Sequence, residues 1–326
     1  MRFSITLLLL CFCMGSIAQS YNFQPDWKKG DSKTIKIETR TLDFEDGEQT
    51  KDEFEENEAK IKVTKVTEAT IIFSVKMKNQ VLSKAKEMYE NIDQEVKVKD
   101  YEDLTLIYEM DRNTLDRKLI NWEEARDFIT NGVGLMKELA LEKDPDGEST
   151  FDAILGPLMG MFNSEEMVAS MYDPYIGFLF VPFGKELNKD SPVVVTDEED
   201  NPMQPGSTVS STTTYTLTAV DTKKNTCNIN TRMDLDMSMF LDMMKTMMVK
   251  LATAFADSND NVEAMVEEKM KEMESMKMEV YNTQEISFDM SSTWVTKAVM
   301  TAGSEMVDPT KNASRKKTSI TTYTVY

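Results

Sequence analysis

Alternation of apolar and polar residues at period two, broken at short intervals by turn residues, limits most strongly what this chain can fold into. Ile35 and Ile37 are followed by Ile61 and Val63, and then, across a turn at Glu68-Ala69, by Ile71, Phe73, Val75 and Met77. Successive side chains of a strand point to opposite faces, so this pattern predicts half-buried strands paired antiparallel through short turns. It returns at Leu104, Leu106, Tyr108 and Met110, turns at Asp111-Arg112-Asn113 and comes back through Leu115, Arg117 and Leu119. Beyond residue 206 it recurs in Tyr215, Leu217 and Ala219, in the run from Cys227 to Leu235, in Ile286, Phe288 and Met290, in Trp294 to Met300 and from Ile320 to Tyr326. A short apolar strand is expected from Phe178 to Phe183.

Helical spacing interrupts these strands. Val81, Leu82, Ala85, Met88 and Tyr89 share one face. Asn121, with Glu124 three residues on, resembles a capping box opening a helix whose stripe is Ala125, Phe128, Ile129, Val133, Met136 and Leu139. Phe151 to Met171 is helical in pattern, with breaks at Gly156-Pro157 and Asn163. A further helix carries Met237, Phe240, Leu241, Met244, Met248, Leu251 and Phe255 on one side, and a second run follows from about residue 261 to 278. The expected fold is therefore α+β, a curved antiparallel sheet packed by helices. Both halves read as strand pair, helix, strand pair, which suggests a diverged internal duplication, against coincidence between two ordinary meanders. The expected division is a signal peptide at 1–18, a first α+β half at 19–145, a helical middle segment and acidic linker at 146–205, and a second half at 206–326 sharing one sheet with the first.

The first residues read as an export signal: Arg2 is basic, Ile5 to Met14 is apolar but too short to span a bilayer, and Ser16-Ile17-Ala18 is a small-x-small cleavage site. A periplasmic or secreted product follows. No later stretch is long and apolar enough to cross a membrane as a helix. Of the three cysteines only Cys227 lies beyond the signal, so the exported fold must stand without internal disulfides, and the apolar surroundings of Cys227 suggest a buried thiol. The formal charge is −20, one unit more negative once Arg2 is removed, which disfavours nucleic acid and anionic lipid as partners. Much of the acid falls in two runs, Asp43 to Glu58 and Asp197 to Asp200, which read as solvated loops.

Chemistry is constrained by one absence. The chain contains no histidine, which removes the commonest general base and histidine-ligated zinc. No phosphate loop or nucleophile elbow is present, and the two serine-x-x-lysine matches, Ser83 with Lys86 and Ser314 with Lys317, lack companion motifs. No cofactor is called for. Methionine stands out at 26 residues, concentrated between Met233 and Met290. The Met237 to Phe255 face reads first as core packing, then as a flexible surface for a greasy ligand or partner, and then as soft thioether ligands for copper(I).

The strand opened at Lys29-Gly30-Asp31, the V-x-x-V from Val63 to Val66 and the strand, turn, strand, Asn, helix unit from Leu104 to Phe128 resemble uncharacterised exported proteins of Bacteroidota. The layout is also similar in outline to periplasmic lipoprotein carriers. That resemblance implies a curved antiparallel sheet around helices, able to hold an acyl chain, and carries no functional residue over. The expected function is a non-enzymatic periplasmic or secreted protein that binds an apolar ligand or a protein partner through Met237, Phe240, Leu241, Met244, Met248, Leu251 and Phe255. A methionine-rich copper(I) binder and a carboxylate-dependent hydrolase are the alternatives.

Overall fold

The computed structural model describes residues 20–78, 103–143, 162–189, 191–200, 208–235, 277–308 and 313–326. Eleven strands make one antiparallel sheet. The first half supplies β2 (Ser32–Glu45), β3 (Glu48–Val66), β4 (Thr70–Lys78), β5 (Asp103–Asp111) and the short β6 (Arg117–Leu119). The second supplies β8 (Val193–Asp200), β9 (Thr208–Asp221), β10 (Thr226–Leu235), β11 (Lys277–Asp289), β12 (Trp294–Asp308) and β13 (Ala313–Val325). Each half is a meander, and the two join where β13 pairs with β2, so the order runs β6-β5-β4-β3-β2-β13-β12-β11-β10-β9-β8. The N-terminal β1 (Ser20–Asn22) pairs separately with β7 (Glu186–Asn188).

Between β6 and β7 lie α1 (Trp122–Lys143), α2 (Glu165–Ile176) and a 3₁₀ turn at Gly177–Leu179. Ser164 caps α2 by accepting from Met167 N at 3.3 Å. These helices touch each other and the β5–β6 end of the sheet, while the 3₁₀ turn reaches β12.

The α+β expectation is overturned: the described structure is mostly strand, and its two helices cover one part of one face. The strands extend well past the apolar alternation that reveals them in the sequence. Ile37, Tyr323, Ala298, Ile286, Ile229 and Leu217 form one register row across six strands, and all are buried. Two residues further along each strand the same face presents Thr39, Thr321, Met300, Gln284, Thr231 and Tyr215. Threonine favours the pleated backbone without supplying an apolar period, so pairing continues where the hydrophobic signal stops.

The acidic runs are strands too. Asp43 to Glu58 belongs to the β2–β3 hairpin, turned by Asp46 and Gly47 at φ 50° and 83°, the two successive left-handed residues that a tight two-residue hairpin needs. Arg40 holds Asp52 with two bonds, Nε to Oδ1 at 2.8 Å and Nη2 to Oδ2 at 2.6 Å, and Lys36 bridges Glu38 and Glu56 at 2.9 and 3.0 Å. Cross-strand pairing of this kind makes an acidic stretch compatible with a sheet. Asp197 to Asp200, expected in a linker, closes β8.

No described helix lies inside either meander, so the repeated strand pair, helix, strand pair unit is not carried by the described residues. The helix expected at 81–89 and the one bearing Met237 to Phe255 lie outside them, and Lys277 and Met278, expected at the end of a helical run, open β11. Phe178 to Phe183 is a 3₁₀ turn and further turns rather than a strand, because its aromatic side chains are wanted on several sides at once.

Those aromatics build the floor of the core. Trp27 stacks on Trp294 with centroids 4.2 Å apart, lies edge-on to Phe73 and Phe183, and donates Nε1 to Thr293 O at 2.9 Å. Thr293 sits at φ 55°, an uncommon conformation for a β-branched residue, and its hydroxyl accepts from Asp26 N at 2.8 Å. Phe178 stacks on Tyr323 at 4.3 Å, and Tyr323 Oη donates to Pro174 O at 2.8 Å, fastening α2 to β13. The tight turns at 67–69, 112–116, 222–225 and 290–293 all lie at this end of the sheet, whereas β4, β8 and β10 end at Lys78, Asp200 and Leu235 at the opposite end.

On the outer face Tyr281 of β11 lies across Gly303 of β12 to reach Thr318 Oγ1 of β13 at 3.0 Å. A Cβ at 303 would collide with the Tyr281 ring and come within 2.8 Å of Lys317 O. Gly303→Ala should therefore lower stability by about 1–3 kcal/mol, the range for overpacking, read as a reduced urea midpoint. An unchanged midpoint would show that the ring does not cover the glycine.

Candidate functional site

The residues expected to form the site, Met237, Phe240, Leu241, Met244, Met248, Leu251 and Phe255, lie outside the described residues. What the described residues bring together is an apolar cavity of about 130 Å³ where α1 and α2 meet the sheet. Met77 and Lys78 end β4, Leu104 is the second residue of β5, and these three form its sheet wall. Phe128, Ile129, Gly132 and Val133 line it from α1, and Met171, Tyr172 and Tyr175 from α2.

Local sequence explains the placement. Phe128, Ile129 and Val133 belong to the stripe expected of α1, but part of that stripe faces a cavity instead of closing on the sheet. Ala125, the first residue of the stripe, is fully buried. Asn121 fixes where the helix begins, though not as a capping box. Its side chain continues the edge of β5, accepting from Ile107 N at 2.7 Å and donating to Thr105 O at 2.8 Å, while Glu124 accepts from the same amide at 3.1 Å. The asparagine thus imitates a strand residue at the point where β6 stops. On α2, Pro174 removes one backbone donor within the helix, and its carbonyl is the acceptor for Tyr323. Tyr172 and Tyr175 were not apparent as site residues; the signal available was their helical spacing with Met171 after the Asn163 break.

Electrostatically the cavity is quiet. Burial raises the Tyr172 hydroxyl above the ordinary phenol range, and the neighbouring Tyr175 adds to the effect. Among the described residues lining it Lys78 is the only charged one, and these residues supply neither a nucleophile with its base nor a pair of opposed carboxylates. Met171, 40% exposed, marks its open side.

Below α2 lies a more polar arrangement. Arg117, on β6, sets its guanidinium carbon 4.3 Å above the Phe180 ring and Nη1 3.2 Å from Asp173 Oδ1. Tyr108, on β5, stacks on Phe73 at 5.4 Å, and its hydroxyl is held above the usual range by burial and, secondarily, by the charge of Asp173.

Cys227 faces the core of β10, 2% exposed, and desolvation pushes its thiol up to about 12. At pH 8 the thiol is therefore neutral as well as shielded. A disulfide reagent should label the Cys227 peptide only as fast as the protein unfolds, with labelling rising along the urea transition. Immediate stoichiometric labelling of the native protein would contradict this placement.

Among the described residues no helix is long and apolar enough to cross a membrane. No protein-family model matches the chain, and no curated protein does. Among solved structures, the chain is similar to the outer membrane protein OprG from Pseudomonas aeruginosa, at 8% identity and a TM-score of 0.15, over 92% of this chain and 96% of that one. It is likewise similar to Ail, the attachment invasion locus protein of Yersinia pestis, at 4% identity and a TM-score of 0.15, over 92% of this chain and all of the other. At such scores neither likeness bears on fold or activity.

Proposed function

We propose that this chain is a non-enzymatic exported protein, periplasmic or secreted, that holds an apolar ligand against the β4–β5 end of its sheet. The observation that carries the reading is the cavity itself. It is lined by Met77, Leu104, Phe128, Ile129 and Val133 with two tyrosines, and no carboxylate is among the described residues that border it. An engineered apolar cavity of about 150 Å³ takes up benzene, so about 130 Å³ accommodates a short alkyl segment or one small ring. Methionines at two of its walls add adaptability, because the unbranched thioether repacks around differently shaped apolar groups. Export fits this role: with no histidine and no cofactor motif the chain is equipped to carry or present, and the signal read at residues 1–18 would deliver it beyond the cytoplasm.

Titration of the protein beginning at Gln19 with the uncharged fluorophore N-phenyl-1-naphthylamine tests this. Wild type should enhance the emission with micromolar affinity, and Val133→Trp, which fills the cavity from α1, should weaken binding at least tenfold with the melting temperature retained. Equal binding by both proteins, or none by wild type, would contradict the proposal.

A further inference from the structure

The two edges of the large sheet are finished differently. At the β6 edge pairing stops after three residues, and the Asn121 side chain stands in for the next strand residue by bonding Ile107 N and Thr105 O. At the other edge β8 (Val193–Asp200) pairs with β9 along its whole length and, among the described residues, with no strand on its far side. In an antiparallel pair only every second residue exchanges both backbone bonds with its neighbour, so the residues between them direct N–H and C=O groups outward. The sheet therefore ends at β8 in an open ladder that another extended segment can continue. Edge strands are commonly guarded by lysine, proline, a bulge or short length. β8 holds no lysine or proline, keeps an unbroken register from Val193↔Tyr215 to Asp200↔Thr208, and opens with three consecutive valines. Val194 is 61% exposed, and Pro192, Thr196 and Glu198 are exposed as well, so this edge stands in solvent.

The sequence of β8 selects the occupant. Its first half is β-branched and its second half, Asp197-Glu198-Glu199-Asp200, is anionic. A second copy fits poorly: in an antiparallel pair of β8 strands each acidic half would lie opposite the partner's valines, uncompensated, and each copy brings a formal charge of −20. Opposite charges on paired strands are the stabilising arrangement, and β-branched residues pair well with one another. We infer that β8 is a docking edge for an extended basic segment of another protein, added antiparallel with its lysines or arginines opposite Asp197 to Asp200 and β-branched residues opposite Val193 to Val195. This goes beyond the ligand-holding role and does not depend on it, since β8 closes the edge of the sheet remote from the cavity at β4 and β5.

The probe is the acetylated and amidated peptide Lys-Lys-Lys-Lys-Thr-Val-Thr-Val, titrated into the 15N-labelled protein beginning at Gln19 at about 0.15 M salt, where charges further apart than about 8 Å are largely screened. Saturable shifts of amide signals should centre on β8 and β9, and hydrogen exchange of the β8 amides should slow at saturation. The same peptide N-methylated at every residue of its Thr-Val-Thr-Val half keeps the charge but loses the ladder, and should bind at least tenfold more weakly. Glu198→Lys combined with Glu199→Lys should also weaken the unmodified peptide at least tenfold, with the melting temperature retained. Absence of saturable binding, shifts centred on another acidic stretch such as Asp43 to Glu58, or equal affinity for the two peptides would overturn the inference, the last by reducing the contact to charge alone. Protection of the β8 amides that grows with protein concentration in the absence of peptide would overturn it too, by assigning the edge to a second copy.

Discussion

The pairing of the last strand with the first long strand is what the rest of the structure depends on. Without β13 on β2 the sheet would fall into a five-strand and a six-strand meander, each with an exposed edge at its middle and half of the aromatic floor. With it, eleven residue pairs from Arg315↔Glu45 to Val325↔Ile35 close the join, and the Thr34–Tyr326 backbone bonds extend it. The floor spans the same seam. Trp27 precedes β2, Trp294 opens β12, and their stack places apolar area from both halves in a single core, so burial reinforces a pairing between residues nearly three hundred positions apart.

Along these strands polarity changes while geometry does not. Near the tight turns the inner face is apolar from Ile35 and Phe73 to Phe288 and Val295, with Arg117 at its β6 edge. One register row beyond Ile37 and Tyr323, threonine, glutamine and methionine take over. The cavity lies at such a transition, where β4 ends at Lys78 and α1 crosses above it. A well-packed floor beneath a looser upper wall separates the part that holds the fold from the part free to hold something else.

The sequence made the strand cores legible and left their lengths hidden. Ile71 to Met77, Leu104 to Met110 and Cys227 to Leu235 emerge as strands because each alternates against a continuous apolar face. Residues 39–45, 48–58 and 301–308 do not, since threonine, glutamate and serine there alternate with one another. Asp46-Gly47 was a readable hairpin signal, masked by the acidic residues around it. The β13–β2 join was not readable at all: nothing local in either strand names a partner at the other end of the chain. Part of the site was visible as the α1 stripe of Phe128, Ile129 and Val133. Its other wall was not, because a stripe states which residues avoid water and not whether they meet a sheet or a space.

Native-state hydrogen exchange on the protein beginning at Gln19 tests the seam most directly. If one core spans both halves, the amides of Ile37, Val75, Ile229, Ile286 and Tyr323 should exchange only through the same global opening and share one free energy and one denaturant dependence. Exchange of Ile37 and Val75 through a separate, less stable opening, while Ile229 and Ile286 remain protected, would show two independent units and contradict the single sheet closed by β13 and β2.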